Sequence, residues 1–579
     1  MLQKTNGAGA ALRAIDEAAR KNARLADKRS FPIFPGVVLA LTALVAFLVV
    51  YPLLRMVVRG AQETGGSGLI ELVNEPWFPG LLRDSIGVTL LASVCAVIVA
   101  TLLAWINERT DATLGSIGGV LPLIPLFLPS VAMAIGWVML AAPKTGFLNG
   151  LMPWVPEASQ LNIYSVPGLV FVYTLTLVPY AYLPISAAFR TIDLSREEAA
   201  RVNGAGNVRV FFNIALRSVA PAVAGAFVVV AIVAFALYSV PVVIATRADI
   251  DIISVRLVRA VTQEYPADLD TALGLSLFMF VALVLLWVAQ QRVLSGGRFT
   301  RVGERTEGAS RTRLGGWKWL ARAAVIGYVL ASSALPVLAL ILVSFQTYWN
   351  PSILGADYTL ANYASVLGNR VAQRSLLNSL LLGLLVGIAT IISGIAVLLF
   401  REATKNRFLS AVVDGVAKVA GIVSSTVLGV AFILAFAGPP FSLGSTVWIL
   451  VIAYLVVFLP HAVINLESSR AQIHTSLTEA AEVNGATLWR TLRSVVLPLM
   501  IPGIFATWAL LFVLMTGELS LAVLLSTPRT PVVGLQLRDY WEQGSFTNVA
   551  VLSVLMTVIA AVVVGILLWA GRPRHARRN

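Results

Sequence analysis

Ser195-Arg-Glu-Glu198-Ala-Ala200-Arg-Val-Asn203-Gly204-Ala205 returns 281 residues later as Ser476-Leu-Thr-Glu479-Ala-Ala481-Glu-Val-Asn484-Gly485-Ala486. Both copies are polar, and both lie between long apolar segments. Each serine is followed three residues on by a glutamate, Glu198 or Glu479, which fits a capping box: hydroxyl and carboxylate satisfy the unpaired N–H groups at a helix start. A short polar helix is therefore predicted at each site. The alanines leave a smooth face that can sit closely in a groove. Gly204 and Gly485 let the chain turn into a second short helix. One such string is weak evidence, but two at equivalent places suggest a docking surface used twice.

The surroundings of the two copies set the class of protein. Of 579 residues, 58% are hydrophobic and 12% charged, against about 25% charged in a soluble protein. The difference lies in long apolar runs, as in a polytopic membrane protein embedded in a lipid bilayer. The net charge of +14 then reads as the basic surplus of cytoplasmic loops, and no nucleic-acid partner is expected. The one cysteine, Cys95, allows no internal disulfide and no cysteine-based metal site. His461, His474 and His575 are too scattered for a metal cluster and read as interfacial or solvated residues.

A membrane span needs about 20 mostly apolar residues. Twelve segments qualify, near 36–58, 84–106, 118–141, 166–190, 218–243, 271–293, 321–346, 376–399, 410–436, 444–466, 499–525 and 547–570. The first follows a basic stretch, is too long for a signal-peptide core and has no small-residue cleavage site, so it reads as an uncleaved span. With the N-terminus inside, 31 of the 43 lysines and arginines fall on cytoplasmic segments and 11 on external loops. Both termini are therefore expected in the cytoplasm. The expected organisation is a cytoplasmic tail at 1–35, a first membrane domain at 36–293, a Gly/Ser/Arg-rich linker at 294–320, a second membrane domain at 321–570 and a basic tail at 571–579. Other landmarks repeat as well. Asp84-Ser85 matches Asn378-Ser379, and Glu108 and Thr110 match Glu402 and Thr404, all at an offset of 294. The change of offset to 281 leaves 13 extra residues in the first half, expected in the external loop near 142–165. Such repetition implies duplication and fusion about a pseudo-twofold axis along the membrane normal.

With each polar motif between the fourth and fifth span of a six-span half, the chain resembles the type I ABC importer permeases and their Glu-Ala-Ala-x-x-x-Gly coupling loop. Ten residues past the glycine, that pattern continues with an aliphatic residue, then x-Leu-Pro. The second copy matches with Val495, Leu497 and Pro498. The first has Ile214 and Leu216 but Arg217 in place of the proline, which bears on the local bend of that half and not on the resemblance. Further stretches resemble the fused, two-halved permeases of the ferric-iron uptake type: Gly136-Trp-Val-Met-Leu with Pro143 and Asn149, Gln472-Ile-His-Thr-Ser-Leu-Thr-Glu479, and Glu518-Leu-Ser with Val523-Leu-Leu-Ser-Thr-Pro528. Permeases for thiamine, polyamines, sulfate and phosphonates share the plan.

The resemblance implies an all-α protein of about 12 transmembrane helices in two six-helix repeats, multi-pass in a bacterial inner membrane. It also implies two copies of a separate ABC ATPase, which carry ATP and magnesium, and an extracytoplasmic solute-binding protein. Glu198, Ala199, Ala200 and Gly204, with Glu479, Ala480, Ala481 and Gly485, would be the contacts for the ATPase subunits. No phosphate-binding loop, catalytic constellation, cofactor site or metal site is expected in this chain. Alternating access would let the halves open outward when ATP closes the ATPase pair and inward after hydrolysis.

Glu518 is placed within the eleventh span, where a carboxylate costs about 2.5–3.5 kcal/mol on insertion scales. Its functional reading is a residue of the cargo pathway or of a gate; the other is a polar contact between helices, or a position nearer the interface. Asp414 and Lys418, four apart, are expected to pair. Pro122, Pro125 and Pro129 predict a kinked or interrupted third span. An ion-coupled secondary transporter is the rival from another class, but it has no use for paired coupling helices.

Overall fold

The computed structural model describes residues 33–63, 68–191, 195–296, 312–404, 406–486 and 488–572. Most of the expected tail at 1–35, the middle of the 294–320 linker and most of the basic tail lie outside the described residues. Apart from two isolated β-bridges, the regular structure among the described residues is helical.

All twelve apolar segments fold as helix, but not all as single rods. Ten helices are long and apolar enough to cross a bilayer: Gly36–Gln62, Phe78–Arg109, Val166–Thr191, Asn207–Ala236, Leu269–Val293, Trp317–Phe345, Arg370–Glu402, Val447–Ala471, Leu492–Thr516 and Phe546–Ala570. The third segment of each half is broken. In the first half, Leu121–Phe127 and Ser130–Ala141 meet at 102°. Pro129 caps the second piece, and its missing N–H and its ring prevent a continuous helix. In the second half, Arg407–Val419 stops before Ser425–Phe432, whose start is capped by the Ser424 hydroxyl accepting from the Thr426 N–H. The interruption foreseen from the prolines thus occurs in both halves, although one does it without a proline.

The fifth and eleventh spans also differ from expectation. They begin earlier than the apolar runs suggest and end earlier too, at Ala236 and Thr516 rather than near 243 and 525. Each contains one wider helical turn, at Phe211–Ala215 and Leu492–Val496. The turn is present opposite both Arg217 and Pro498, so the proline is not what produces it.

The two halves are interlocked by their first spans. The Ile33–Glu63 helix packs on Gly387–Ala403, Arg407–Val419 and Ser425–Phe432 of the second half, while Leu335–Phe345 packs on Ser130–Ala141 of the first. The second crossing is very close. A Cβ on Gly136 would lie 2.5 Å from the Pro336 carbonyl oxygen and 2.7 Å from its Cα. Beside it, the Trp137 indole N–H donates to the Ala331 carbonyl at 2.9 Å.

The duplicated landmarks do equivalent work. Ser85 accepts the Ile253 N–H at 3.0 Å, and Ser379 accepts the Val533 N–H at 2.9 Å. Each serine thus fastens the start of a short helix, Ile253–Thr262 or Val533–Glu542, between the fifth and sixth spans of its half. Glu108 pairs with Arg190 at 2.7 Å, and Glu402 with Arg470 at 3.1 Å. The surplus of the first half lies at 142–165, where 24 residues separate the Ser130–Ala141 and Val166–Thr191 helices. Asn149 clamps that loop: its amide donates to the Ala142 and Leu161 carbonyls at 3.0 and 2.9 Å and accepts the Leu161 N–H at 2.9 Å.

Candidate functional site

The two polar motifs form the helices Ser195–Val202 and Thr475–Val483. Each ends in the same turn. Asn203 donates its side-chain amide to the Ala199 carbonyl, and Asn484 does so to Ala480, both at 2.7 Å. The N–H of Ala205 reaches back to Ala200, and that of Ala486 to Ala481, both at 3.0 Å. This six-to-one bond requires a left-handed residue at the bend. Gly204 and Gly485 supply it, with φ of +79° and +74°. A side chain there would carry about 1–2 kcal/mol of strain.

The second helix opens two residues earlier than the capping box supposes. It starts at Thr475, so Ser476 lies in the first turn, where its hydroxyl is 3.2 Å from His474 Nδ1. The side chain of Ser195 lies outside what is described. Exposure repeats along the motif: Glu198 and Glu479, Ala199 and Ala480, and Gly204 and Gly485 are exposed, while Ala200 and Ala481 are half-buried. Val202 and Val483 are 89% and 87% exposed, so each helix presents an aliphatic side chain outward.

Glu197, which the repeat does not single out, is the more deeply anchored glutamate. It is 1% exposed and forms a 2.6 Å ion pair with Arg109, itself 5% exposed, at the end of the second span. The equivalent positions in the second half are Thr478 and Ala403, so the repeat contains no signal for this pair. The second half instead has a cluster at 401–467. Asp414 pairs with Lys418 at 2.8 Å, as expected from their spacing, and with Arg401 at 2.7 Å. Glu467 bonds both cations.

At the opposite end of the fifth and eleventh spans lies a cavity of about 240 Å³. It is built from equivalent residues of the two halves: Tyr180 and His461, Leu237 and Glu518, Ser239 and Ser520. It therefore straddles the pseudo-twofold axis. Hydroxyls pair across it. Ser130 meets Ser239 at 2.7 Å in one half, and Ser425 donates to Ser520 at 3.3 Å in the other. Glu518 is not inside a continuous span. It follows the end of the Leu497–Thr516 helix, and its carboxylate accepts the N–H groups of Ser520 and Leu521 at 2.9 and 3.3 Å. It thus caps the Ser520–Leu525 helix while lining the cavity. It also bonds the Ser425 side chain, at the start of the Ser425–Phe432 helix, so it lines the cavity and makes a polar contact between helices as well.

His461, read from the sequence as interfacial or solvated, lines this cavity from the tenth span. Its Nδ1 is buried and has no hydrogen-bond partner among the described residues. Tyr180 was not visible as a candidate. Its alignment with His461 at the 281-residue offset was the available signal. The coupling helices and Glu518 are not brought together: the 25-residue Leu492–Thr516 helix separates them by about 37 Å.

The family described as binding-protein-dependent transport system inner membrane component matches residues 92–295 and 396–571, once in each half. A probable ABC transporter permease protein y4fN of Sinorhizobium fredii is 28% identical over 77% of this chain and 79% of its own length. The ferric transport system permease protein FbpB of Actinobacillus pleuropneumoniae is 22% identical over 91% of this chain and 77% of its own. A putative 2-aminoethylphosphonate transport system permease protein PhnV of Salmonella paratyphi A is 26% identical over 39% of this chain and 84% of its own.

Proposed function

The chain belongs to the binding-protein-dependent transport system inner membrane component family, and we propose that it is the fused permease of an ATP-driven importer of ferric iron. As an ABC-type permease it is a multi-pass inner-membrane protein. In our reading 36–293 and 321–570 are its two membrane domains, 294–320 is the cytoplasmic linker between them, and both termini are cytoplasmic. Two ATPase subunits, which hold the ATP and magnesium, each take one coupling helix. A solute-binding protein delivers cargo on the opposite face.

One observation carries the coupling assignment. Two helices at equivalent places end in the same glycine turn, match in exposure at Glu198 and Glu479, Ala199 and Ala480, Ala200 and Ala481, and Gly204 and Gly485, and each present a nearly bare valine. A solvated aliphatic side chain repeated at one position fits a partner that covers it. Glu198 to Gly204 and Glu479 to Gly485 would then transmit ATPase closure along the Asn207–Ala236 and Leu492–Thr516 helices to the cavity near Glu518.

The test is Gly204→Val and Gly485→Val. Nothing lies within 4 Å of a Cβ at either glycine, so neither change displaces a neighbour, and the cost inside the chain is the strain of about 1–2 kcal/mol in the left-handed turn itself. The expected result is normal insertion and folding with loss of ATPase stimulation and uptake. If stimulation and uptake persist in well-folded protein, the contact assignment is wrong.

The choice of ferric iron rests on the FbpB-type relatives and on oxygen donors around the inner cavity, which suit a hard cation. Uptake of radiolabelled ferric iron by the reconstituted complex tests it. Thiamine, polyamine, sulfate or phosphonate uptake by the same machinery would replace iron without changing the rest. Full uptake driven by an ion gradient with no ATPase present would instead indicate a secondary transporter.

A further inference from the structure

A second cavity, of about 270 Å³, lies between the Ile253–Thr262 helix of the first half and the Val533–Glu542 helix of the second. Tyr238 and Leu519 line both this chamber and the inner cavity. They are equivalent residues at the 281-residue offset, 3% and 4% exposed, and they form the partition between the two spaces. The chambers differ in charge. Among the described residues, Glu518 is the one carboxylate lining the inner cavity, and no lysine or arginine lines it. Three arginines and one glutamate line the outer chamber: Arg247, Arg259, Arg538 and Glu542.

Glu542 is already engaged. Its Oε1 accepts from Arg538 Nε at 2.8 Å and from Gln263 Nε2 at 3.1 Å. Arg247 packs over aromatic faces, 4.9 Å from the Trp541 ring centre and 5.3 Å from that of Phe546. Among the described residues, neither Arg247 nor Arg259 has a carboxylate partner. Two guanidinium groups without a counter-charge therefore line a walled space of small-solute size. A guanidinium presents paired N–H donors that match the oxygens of a carboxylate or phosphate, and partial desolvation makes an unpaired cation costly.

We propose that this outer chamber is an oxyanion-binding site, anchored by Arg259 and Arg247 and floored by Tyr238 and Leu519. Its position at the extracytoplasmic entrance rests on the permease reading above, whereas the anion site itself does not. A solute that is itself an oxyanion and a cation carried with one both present this chemistry.

The experiment titrates the purified full-length chain in detergent with inorganic phosphate and with methylphosphonate. Chloride at matched ionic strength is the control, and the readouts are calorimetry and the intrinsic tryptophan fluorescence of the chain compared with that of a Trp541→Phe variant. Saturable binding is expected, with Kd raised about tenfold or more by Arg259→Gln or Arg247→Gln and unchanged by the distant Arg217→Gln. Arg259→Lys keeps the charge but loses the paired donors, and it should give an intermediate Kd in monodisperse protein even if Arg259→Gln folds poorly. No saturable binding, or binding indifferent to both arginines, overturns the proposal. So does weakened docking of the solute-binding protein in Arg259→Gln with no anion binding by the parent chain, because the surface would then serve a protein. In the reconstituted complex, uptake of labelled phosphonate identifies the anion as the solute, whereas ferric uptake that requires added phosphate identifies it as a companion of the cation. Because the titration needs no ATPase, failure of the coupling assignment leaves its result readable.

Discussion

Replacing Glu197 by glutamine should release the first coupling helix from the membrane domain. The carboxylate and the Arg109 guanidinium are 1% and 5% exposed and 2.6 Å apart. Neither can exchange its partner for water without local opening. Removing one member of a buried pair leaves the other desolvated and costs about 3–5 kcal/mol. Among the described residues Arg109 Nε has no hydrogen-bond partner, so the local arrangement has little reserve. Replacing both by apolar residues of similar size, as in R109M/E197L, removes the stranded charge and should recover most of the loss. Glu197 lies in the first turn of the Ser195–Val202 helix, so the damage should concentrate there. Hydrogen exchange resolved by peptide is the assay, supported by thermal unfolding in detergent. E197Q should lose protection at 195–205 and keep it at 475–486, and the double variant should regain it. Thr478→Ala, at the equivalent place, should change neither segment and should shift stability by less than about 0.5 kcal/mol. Unchanged exchange in E197Q, or a double variant no better than the single ones, would show that this pair does not hold the helix.

Three other perturbations probe different parts of the structure. Gly136→Ala places a Cβ against the backbone of Pro336, which cannot rotate away; it should cost about 1–3 kcal/mol, and a melting temperature equal to that of the parent would refute the close crossing. Asn149→Ala removes the three hydrogen bonds that clamp the long loop, each worth about 1 kcal/mol; limited proteolysis should then cut within 142–165, and an uncut loop would count against the clamp. Glu518→Gln keeps an oxygen for the Ser520 and Leu521 N–H groups while removing the charge from the cavity; uptake should fall severalfold with stability changed by less than about 1 kcal/mol, and full uptake at normal expression removes Glu518 from the pathway.

The parts of the fold that the sequence shows clearly are those written twice. Apolar runs give the helices because a bilayer leaves the backbone few other ways to satisfy its hydrogen bonds. Ser85 and Ser379 and the two glycine turns stand out by their offset, and each makes the same bond in both halves, while Glu108 and Glu402 each pair with an arginine, though not at equivalent positions. Helix ends were less legible. Hydropathy does not distinguish Ala236 from the apolar residues after it, so the ends of the fifth and eleventh spans were drawn too late. Glu518 was consequently placed inside a rod when it caps a new one. The exchange of first spans between halves left no trace either, because a lipid-facing helix and one packed on a neighbouring domain are equally apolar.

What repetition hides is the asymmetry, and the asymmetry concerns function. Shared positions carry the frame: the landmark serines, the paired glutamates, the wider turns and the coupling helices. Several positions where the halves differ line the cavity on the axis, with Tyr180 aligned with His461, Leu237 with Glu518 and Tyr238 with Leu519. A cavity on a twofold axis lined by identical pairs would present every charge twice, and two carboxylates in so small a space would repel strongly. Divergence of one copy permits a single carboxylate there. It also permits one tyrosine in the partition, and a basic outer chamber above an inner one whose single charge is acidic. Fusion of the halves into one chain makes that divergence heritable, because each copy can change its axial residues without altering the other. The coupling helices face equivalent ATPase subunits in our reading, which would keep them alike. The axial residues face one solute, which has no twofold symmetry to preserve.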